Sequence, residues 1–216
     1  MRLTDVVKNL IIINVIFFLA TTVFMPQIRD WLIFHYPGAV SRSGSDFQPY
    51  QIITHMFMHA YDGRSLFSMH LFFNMIGLYF FGPPLETLWG PKRFLFYYLF
   101  AGLGALALHV LINFIEIQNG TGYPGRVLGA SGAVMGLMVG FAYYFPNQKI
   151  SLLFPPITLP AKHMVMAALA LDLGLGLFGG SLFGSGGTGI AHFAHLGGAL
   201  FGFLLILYWR KFGSRL

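Results

Sequence analysis

The fold is decided by one stretch, Gly129-Ala130-Ser131-Gly132-Ala133-Val134-Met135-Gly136-Leu137-Met138-Val139-Gly140-Phe141-Ala142-Tyr143-Tyr144-Phe145. From Ser131 to Phe145 it carries no charge. As a helix of about 15 residues, rising about 1.5 Å each, it reaches roughly 22 Å. The hydrocarbon core of a membrane is about 30 Å thick. The helix therefore starts below the membrane surface, where its unpaired N–H groups must face protein or water. Ser131 stands at that start. A serine there serves as a helix N-cap, or as a nucleophile if a base lies beside it. The stretch alone leaves both readings open.

The surrounding chain makes a membrane setting necessary. Of 216 residues, 56% are hydrophobic and 9% charged, against about a quarter charged in a soluble domain. This excludes a water-soluble globule and predicts an all-α membrane protein with one transmembrane domain over residues 1–216. Thirteen Lys and Arg against seven Asp and Glu give a net charge of +6. They are scattered over short loops and both ends, so nucleic acid is not an expected partner. There is no cysteine, hence no disulfide, thiolate nucleophile or cysteine-ligated metal.

Six spans are predicted, at Val7 to Phe24, Leu66 to Phe81, Phe94 to Ile117, Ser131 to Phe145, Met164 to Phe178 and Ile190 to Tyr208. The first has the outline of a signal peptide without its cleavage site and reads as a retained span. Arg2, Lys8, Lys92, Arg93, Lys149, Lys162, Arg210, Lys211 and Arg215 fall on one side, and Arg29, Arg42, Arg64 and Arg126 on the other. Cytoplasmic retention of Lys and Arg then puts both termini in the cytoplasm. The external segment of about residues 25–65 carries Trp31, Phe34, Tyr36, Phe47 and Tyr50 and is expected to lie partly in the headgroup zone.

Polar residues in the external halves of the spans suggest chemistry. His195 enters span 6 from the side on which Ser131 begins span 4, and an ionisable group inside a membrane is a functional candidate. Gly132, Gly136 and Gly140 stripe span 4 at four-residue spacing, and Gly198 and Gly202 stripe span 6. Such stripes let helix backbones approach closely. Packed together, they bring hydroxyl and imidazole within hydrogen-bond reach, as a serine nucleophile requires. On span 2, His70 and Asn74 share a face at i, i+4. With the Ser131 N–H they are candidate donors to an oxyanion.

The ordered set of Gly129-Ala130-Ser131-Gly132, Ala194-His195-x-x-Gly198-x-x-x-Gly202 and His70-x-x-x-Asn74 resembles the rhomboid family of intramembrane serine proteases, from about Tyr50 to Trp209. The resemblance implies a six-transmembrane-helix rhomboid-like bundle that cleaves transmembrane segments of other membrane proteins near their external ends. It implies a dyad of Ser131 and His195 without a required acid, cofactor or metal, with His70 and Asn74 lining the oxyanion hole. His192 lacks the family's following glycines and is expected to line the site. The resemblance also implies that Gly129 belongs to the motif, that His55 and His59 hold the first loop, and that Glu86 is a structural carboxylate. Tyr50-Gln51 departs from a Trp-Arg pair found in some members, which weakens the expectation of an anchored loop. A bacterial inner membrane is expected on the same ground.

Two other classes stay open. Spacings at His55/His59 and His192/His195 would suit a metal enzyme, although no His-Glu-x-x-His run exists and Asp172 and Glu116 are isolated. A transporter, or a silent binder of transmembrane helices, would use Ser131 and His195 only as polar contacts. Asp172 is read either as the acid of a triad or as an interhelical hydrogen-bond partner.

Overall fold

The computed structural model describes residues 2–38, 46–61, 68–120, 125–151, 156–178 and 190–213. Leu66, Arg42, Arg64 and Arg215, used above, lie outside these residues. The described chain is mostly helical. Helix α1 (Asp5–Leu19) continues as a π-helical turn at Ala20–Phe24. The first loop then folds as a 3-10 turn at Pro26–Ile28, α2 (Arg29–Leu32), β1 (Phe34–His35), α3 (Gln51–Thr54) and a second 3-10 turn at His55–Phe57. Next come α4 (Met69–Trp89), α5 (Pro91–Gln118), β2 (Arg126–Val127) and α6 (Ser131–Tyr144). The hairpin of β3 (Lys149–Ser151) and β4 (Thr158–Pro160) leads to α7 (Ala161–Phe178) and α8 (Ile190–Phe212).

Each of the six apolar stretches is helical in its described part. Among the described residues, length and hydropathy alone single out three as able to cross a membrane: Asp5–Phe24, Pro91–Gln118 and His192–Phe212. The boundary expected at Phe81 is wrong. Helix α4 passes through Pro83 and Pro84 to Trp89. Each proline removes one backbone donor, while the Thr87 hydroxyl donates to the Pro83 carbonyl at 2.8 Å. Glu86, in this last part of α4, ties it to the start of α1. Its buried carboxylate accepts from the Thr4 hydroxyl and from the backbone N–H groups of Val6 at 3.0 Å and Val7 at 2.9 Å. A carboxylate thereby neutralises orphan donors at the positive end of α1.

The centre is the α5, α6 and α8 packing, in which α8 touches both of the others extensively. Glycines set its spacing. A Cβ at Gly198 would run into the Gly132 carbonyl, and one at Gly136 would lie 3.0 Å from the Gly198 oxygen. A Cβ at Gly202 would meet the Gly136 Cα at 3.2 Å and the Tyr97 hydroxyl at 2.6 Å. That hydroxyl donates to the Gly136 carbonyl at 2.7 Å. Below it, Trp89 packs against Tyr97 and Trp209 with ring centroids 4.6 and 5.6 Å away.

Because the obstacle at Gly198 is backbone, it cannot move aside as a side chain would. Overpacking costs about 1–3 kcal/mol where side chains can yield, so Gly198→Val should lose at least the upper end of that range. The expected result is a lower thermal midpoint by circular dichroism in detergent. Gly174→Ala is the control, since a Cβ there meets nothing within 4 Å.

Candidate active site

Ser131 is the first residue of α6, and Ala130 occupies the capping position without a side-chain cap bond. The serine hydroxyl is thus not the N-cap that its place in the sequence permitted. It donates instead to Nε2 of His195 across 2.8 Å. The other ring nitrogen of His195, Nδ1, donates to Asp172 Oδ2 at 2.9 Å. The two partners fix the tautomer: an ionised carboxylate only accepts, so the proton sits on Nδ1 and Nε2 is a bare acceptor facing the hydroxyl. Asp172 is 8% exposed, and its second oxygen accepts from His192 Nδ1 at 2.5 Å. One carboxylate on α7 therefore holds two imidazoles from α8, one turn apart.

On the other side of Ser131 stands His70. The Ala60 backbone N–H donates to His70 Nδ1 at 3.0 Å, so Nε2 carries the proton. Gly129 lies between the two side chains with φ +121°, a conformation that L residues rarely adopt. The place a Cβ would take there is 3.0 Å from His70 Nε2 and 3.6 Å from Ser131 Oγ. The missing methyl leaves a space bounded by a hydroxyl and an N–H donor. One amide hydrogen of Asn74 is used within its own helix, on the His70 carbonyl at 2.7 Å. The i, i+4 spacing that puts both residues on one face also allows this local bond.

The loop carrying Gly129 is tied to the first loop. Strand β1 pairs antiparallel with β2, with Phe34 opposite Val127 and His35 opposite Arg126. The Gly129 N–H donates to the His55 carbonyl at 2.8 Å. The His55 ring, 2% exposed, donates Nδ1–H to the Gln51 carbonyl at 2.9 Å. His59 Nε2 bonds Asn14 Oδ1 on α1 at 2.9 Å. Gln51, read from sequence as a weakness, is a buried anchor. It donates to the Trp31 carbonyl at 3.0 Å and accepts from the backbone N–H groups of His35 and Gln48. A buried amide surrounded by backbone groups on both sides in sequence could have been suspected only from its neighbouring aromatics.

Residues 46–212 match the Rhomboid domain family. The chain is 32% identical over 156 residues to the presenilin-associated rhomboid-like protein, mitochondrial, of Rattus norvegicus, covering 71% of this chain and 37% of that one. To rhomboid protease AarA of Providencia stuartii it is 29% identical over 147 residues, 63% of this chain and 49% of that one. Rhomboid protein 1, mitochondrial, of Saccharomyces cerevisiae is 32% identical over 143 residues, covering 66% and 38%. The chain spans less than half the length of these relatives. Two of the three are mitochondrial by name, so the expectation of a bacterial inner membrane is not supported, whereas a membrane protein is.

Burial sets a pH limit on the loop anchors. It pushes the His55 imidazole down to about 4 and, with His70 nearby, that of His59 down to about 3, from an ordinary value of about 6.5. The unfolded chain then binds protons that the folded loop refuses, so this contribution is present above about pH 6.5 and is lost as pH falls toward 4. Thermal midpoints measured from pH 8 to pH 4 should be level at first and then decline below about pH 6.5. His55→Gln should flatten the decline.

Proposed function

The chain belongs to the Rhomboid family, and from that premise we propose that it is an intramembrane serine endopeptidase acting on transmembrane segments of other membrane proteins. The observation that carries this reading is the 2.8 Å bond between Ser131 Oγ and a His195 nitrogen that has no proton of its own. In this reading α1, α4, α5, α6, α7 and α8 all lie in the bilayer as one domain, with both termini cytoplasmic and the Ser131 end of α6 open to the external side. The His195 side chain is 27% exposed, which leaves the dyad open for the hydrolytic water that this reading requires.

Ser131 Oγ attacks the scissile carbonyl carbon while its proton passes to His195 Nε2. The carbonyl oxygen becomes an oxyanion, stabilised by the Ser131 N–H in the first turn of α6, the His70 Nε2–H and the remaining amide hydrogen of Asn74. His195 then returns the proton to the leaving amine nitrogen, the peptide C–N bond breaks, and an acyl ester remains on Ser131. A water molecule, deprotonated by His195, hydrolyses that ester and restores both residues. Asp172 is a positioning residue: it holds His195 in the accepting tautomer and stabilises the imidazolium formed at each proton transfer. The space left by Gly129 admits the reacting carbonyl between His70 and Ser131. A substrate helix must unwind locally to present that carbonyl, since an intact helix satisfies it internally.

A silent binder of transmembrane helices is the second reading, favoured by relatives named only as rhomboid-like. The two readings separate in one assay. Purified chain reconstituted in bilayers with single-span substrates should cut them and react with a fluorophosphonate at Ser131. Ser131→Ala and His195→Ala should remove both activities and leave the fold intact. Undiminished cleavage by Ser131→Ala, or an inert wild type, rejects hydrolysis at this site. Asp172→Ala should lower turnover about 100-fold or more with little change in KM, by the loss of tautomer control. A raised KM together with a lowered thermal midpoint would mark Asp172 as merely structural.

A further inference from the structure

Among the described residues, Asp172, His192 and His195 bring three metal-ligating atoms within 4.8 Å of one another. The hydrolytic mechanism uses one carboxylate oxygen and one imidazole, and leaves His192 and the second oxygen without a task. We propose that these three side chains form a zinc site, filled from the external side, whose occupation turns the nucleophile off. Binding stands on the cluster alone; the inhibition rests on the Ser131–His195 reading.

The geometry suits the ion. His192 and His195 are one turn apart on α8, with ring centroids 6.2 Å apart and planes at 88°. Both Nδ1 atoms face the Asp172 carboxylate, at 2.5 and 2.9 Å. Zinc binds imidazole nitrogen and carboxylate oxygen at about 2.0–2.2 Å in tetrahedral geometry, which spaces ligand atoms roughly 3.3–3.5 Å apart. The two bonded nitrogen–oxygen separations thus open by about 1 Å or less, and the three ligand atoms, all within 4.8 Å of one another, draw to that common spacing. A cleft of about 570 Å³ lined by Val139, Val165, Leu169 and Phe203 borders α6, α7 and α8 and leaves room beside the site for that adjustment. The three side chains keep 11%, 18% and 27% exposure, enough for the ion to enter and for water to hold the fourth position. Two imidazoles and one carboxylate, without thiolate, is a donor set that zinc accepts and that magnesium and calcium disfavour.

Inhibition follows from where the proton goes. Zinc takes the Nδ1 lone pair, so a neutral His195 must carry its hydrogen on Nε2. Each imidazole moves one proton from Nδ1 to Nε2 by exchange with water, and none is released overall. The nitrogen facing Ser131 is then an N–H donor and cannot accept the hydroxyl proton. The Ser131 side chain stays in place while its base is lost.

Two readouts test this. Zinc chloride titrated into the metal-free protein by calorimetry should bind with one-to-one stoichiometry, and cobalt should give the visible absorption of a tetrahedral site. Asp172→Asn should weaken both by at least 10-fold. Saturating zinc should slow fluorophosphonate labelling of the wild type at least 10-fold, with EDTA restoring it and magnesium at equal concentration having no effect. His192→Ala, compared with its own metal-free rate, should need at least 10-fold more zinc; His192→Gln makes the same comparison with a side chain of similar length. Absence of one-to-one binding overturns the site, and a zinc sensitivity equal to that of the wild type in both His192 variants overturns the assignment of ligands. One-to-one binding that depends on Asp172 and His192, in a protein that EDTA leaves unreactive, upholds the zinc site and rejects the serine hydrolase instead.

Discussion

The contact between the backbones of Gly132 on α6 and Gly198 on α8 sets the geometry on which the site depends. Helices bearing ordinary side chains pack with axes about 8–10 Å apart, whereas a Cβ at Gly198 would overlap the Gly132 carbonyl. Ser131 precedes one glycine by a single residue and His195 precedes the other by three, so their separation is fixed by this contact more than by any property of their own. In lipid there is no hydrophobic drive to pull two apolar helices together. Close packing of small residues supplies the attraction, and the hydroxyl–imidazole bond is its consequence as well as a contribution to it.

A second set of constraints acts on the segment before Ser131. Backbone bonds from β1 to β2 and from Gly129 to His55 attach that segment to the first loop, and Gln51, His55 and His59 attach the loop to itself and to α1. The anchors are neutral amides and imidazoles, which suit a place at the edge of the bilayer because they form hydrogen bonds without bringing a charge out of water. The positive φ of Gly129 can persist because both sides of it are held.

The sequence made some of this legible and concealed the rest for physical reasons. Ser131 and His195 could be paired because each is followed by a glycine stripe, and stripes on two helices define a common interface. Glu86 could be marked as structural, but not as the cap of α1, because its partners at Thr4, Val6 and Val7 lie about 80 residues away and carry no matching pattern. Asn74 showed a face but not a partner, since a side chain at i+4 bonds its own helix as readily as a neighbouring one. Gln51 looked like a defect because an amide makes an anchor only where backbone groups surround it, and the Trp31 carbonyl and the N–H groups of His35 and Gln48 come from a loop without periodicity. The path of α4 through Pro83 and Pro84 was hidden by the rule that proline ends helices, although the helix runs on to Trp89 with the Thr87 hydroxyl on the Pro83 carbonyl.

Asp172 brings out an asymmetry between the parts of the site. Ser131 and His195 stand on α6 and α8, whose backbones touch; the acid stands on α7, which packs on both with an apolar cleft alongside and exposes Met166, Leu171 and Leu177. A displacement of α7 would move the carboxylate while leaving the hydroxyl and the imidazole in register. The tautomer of His195 is therefore governed by the most loosely packed of the helices around it, and control of its reactivity belongs to the contact between α7 and α8. An additional ligand for Asp172 or a substrate helix leaning on α7 would act on the same bond. The tight helix pair fixes where the hydroxyl and the imidazole meet, and the third helix supplies the carboxylate that holds the imidazole's other nitrogen.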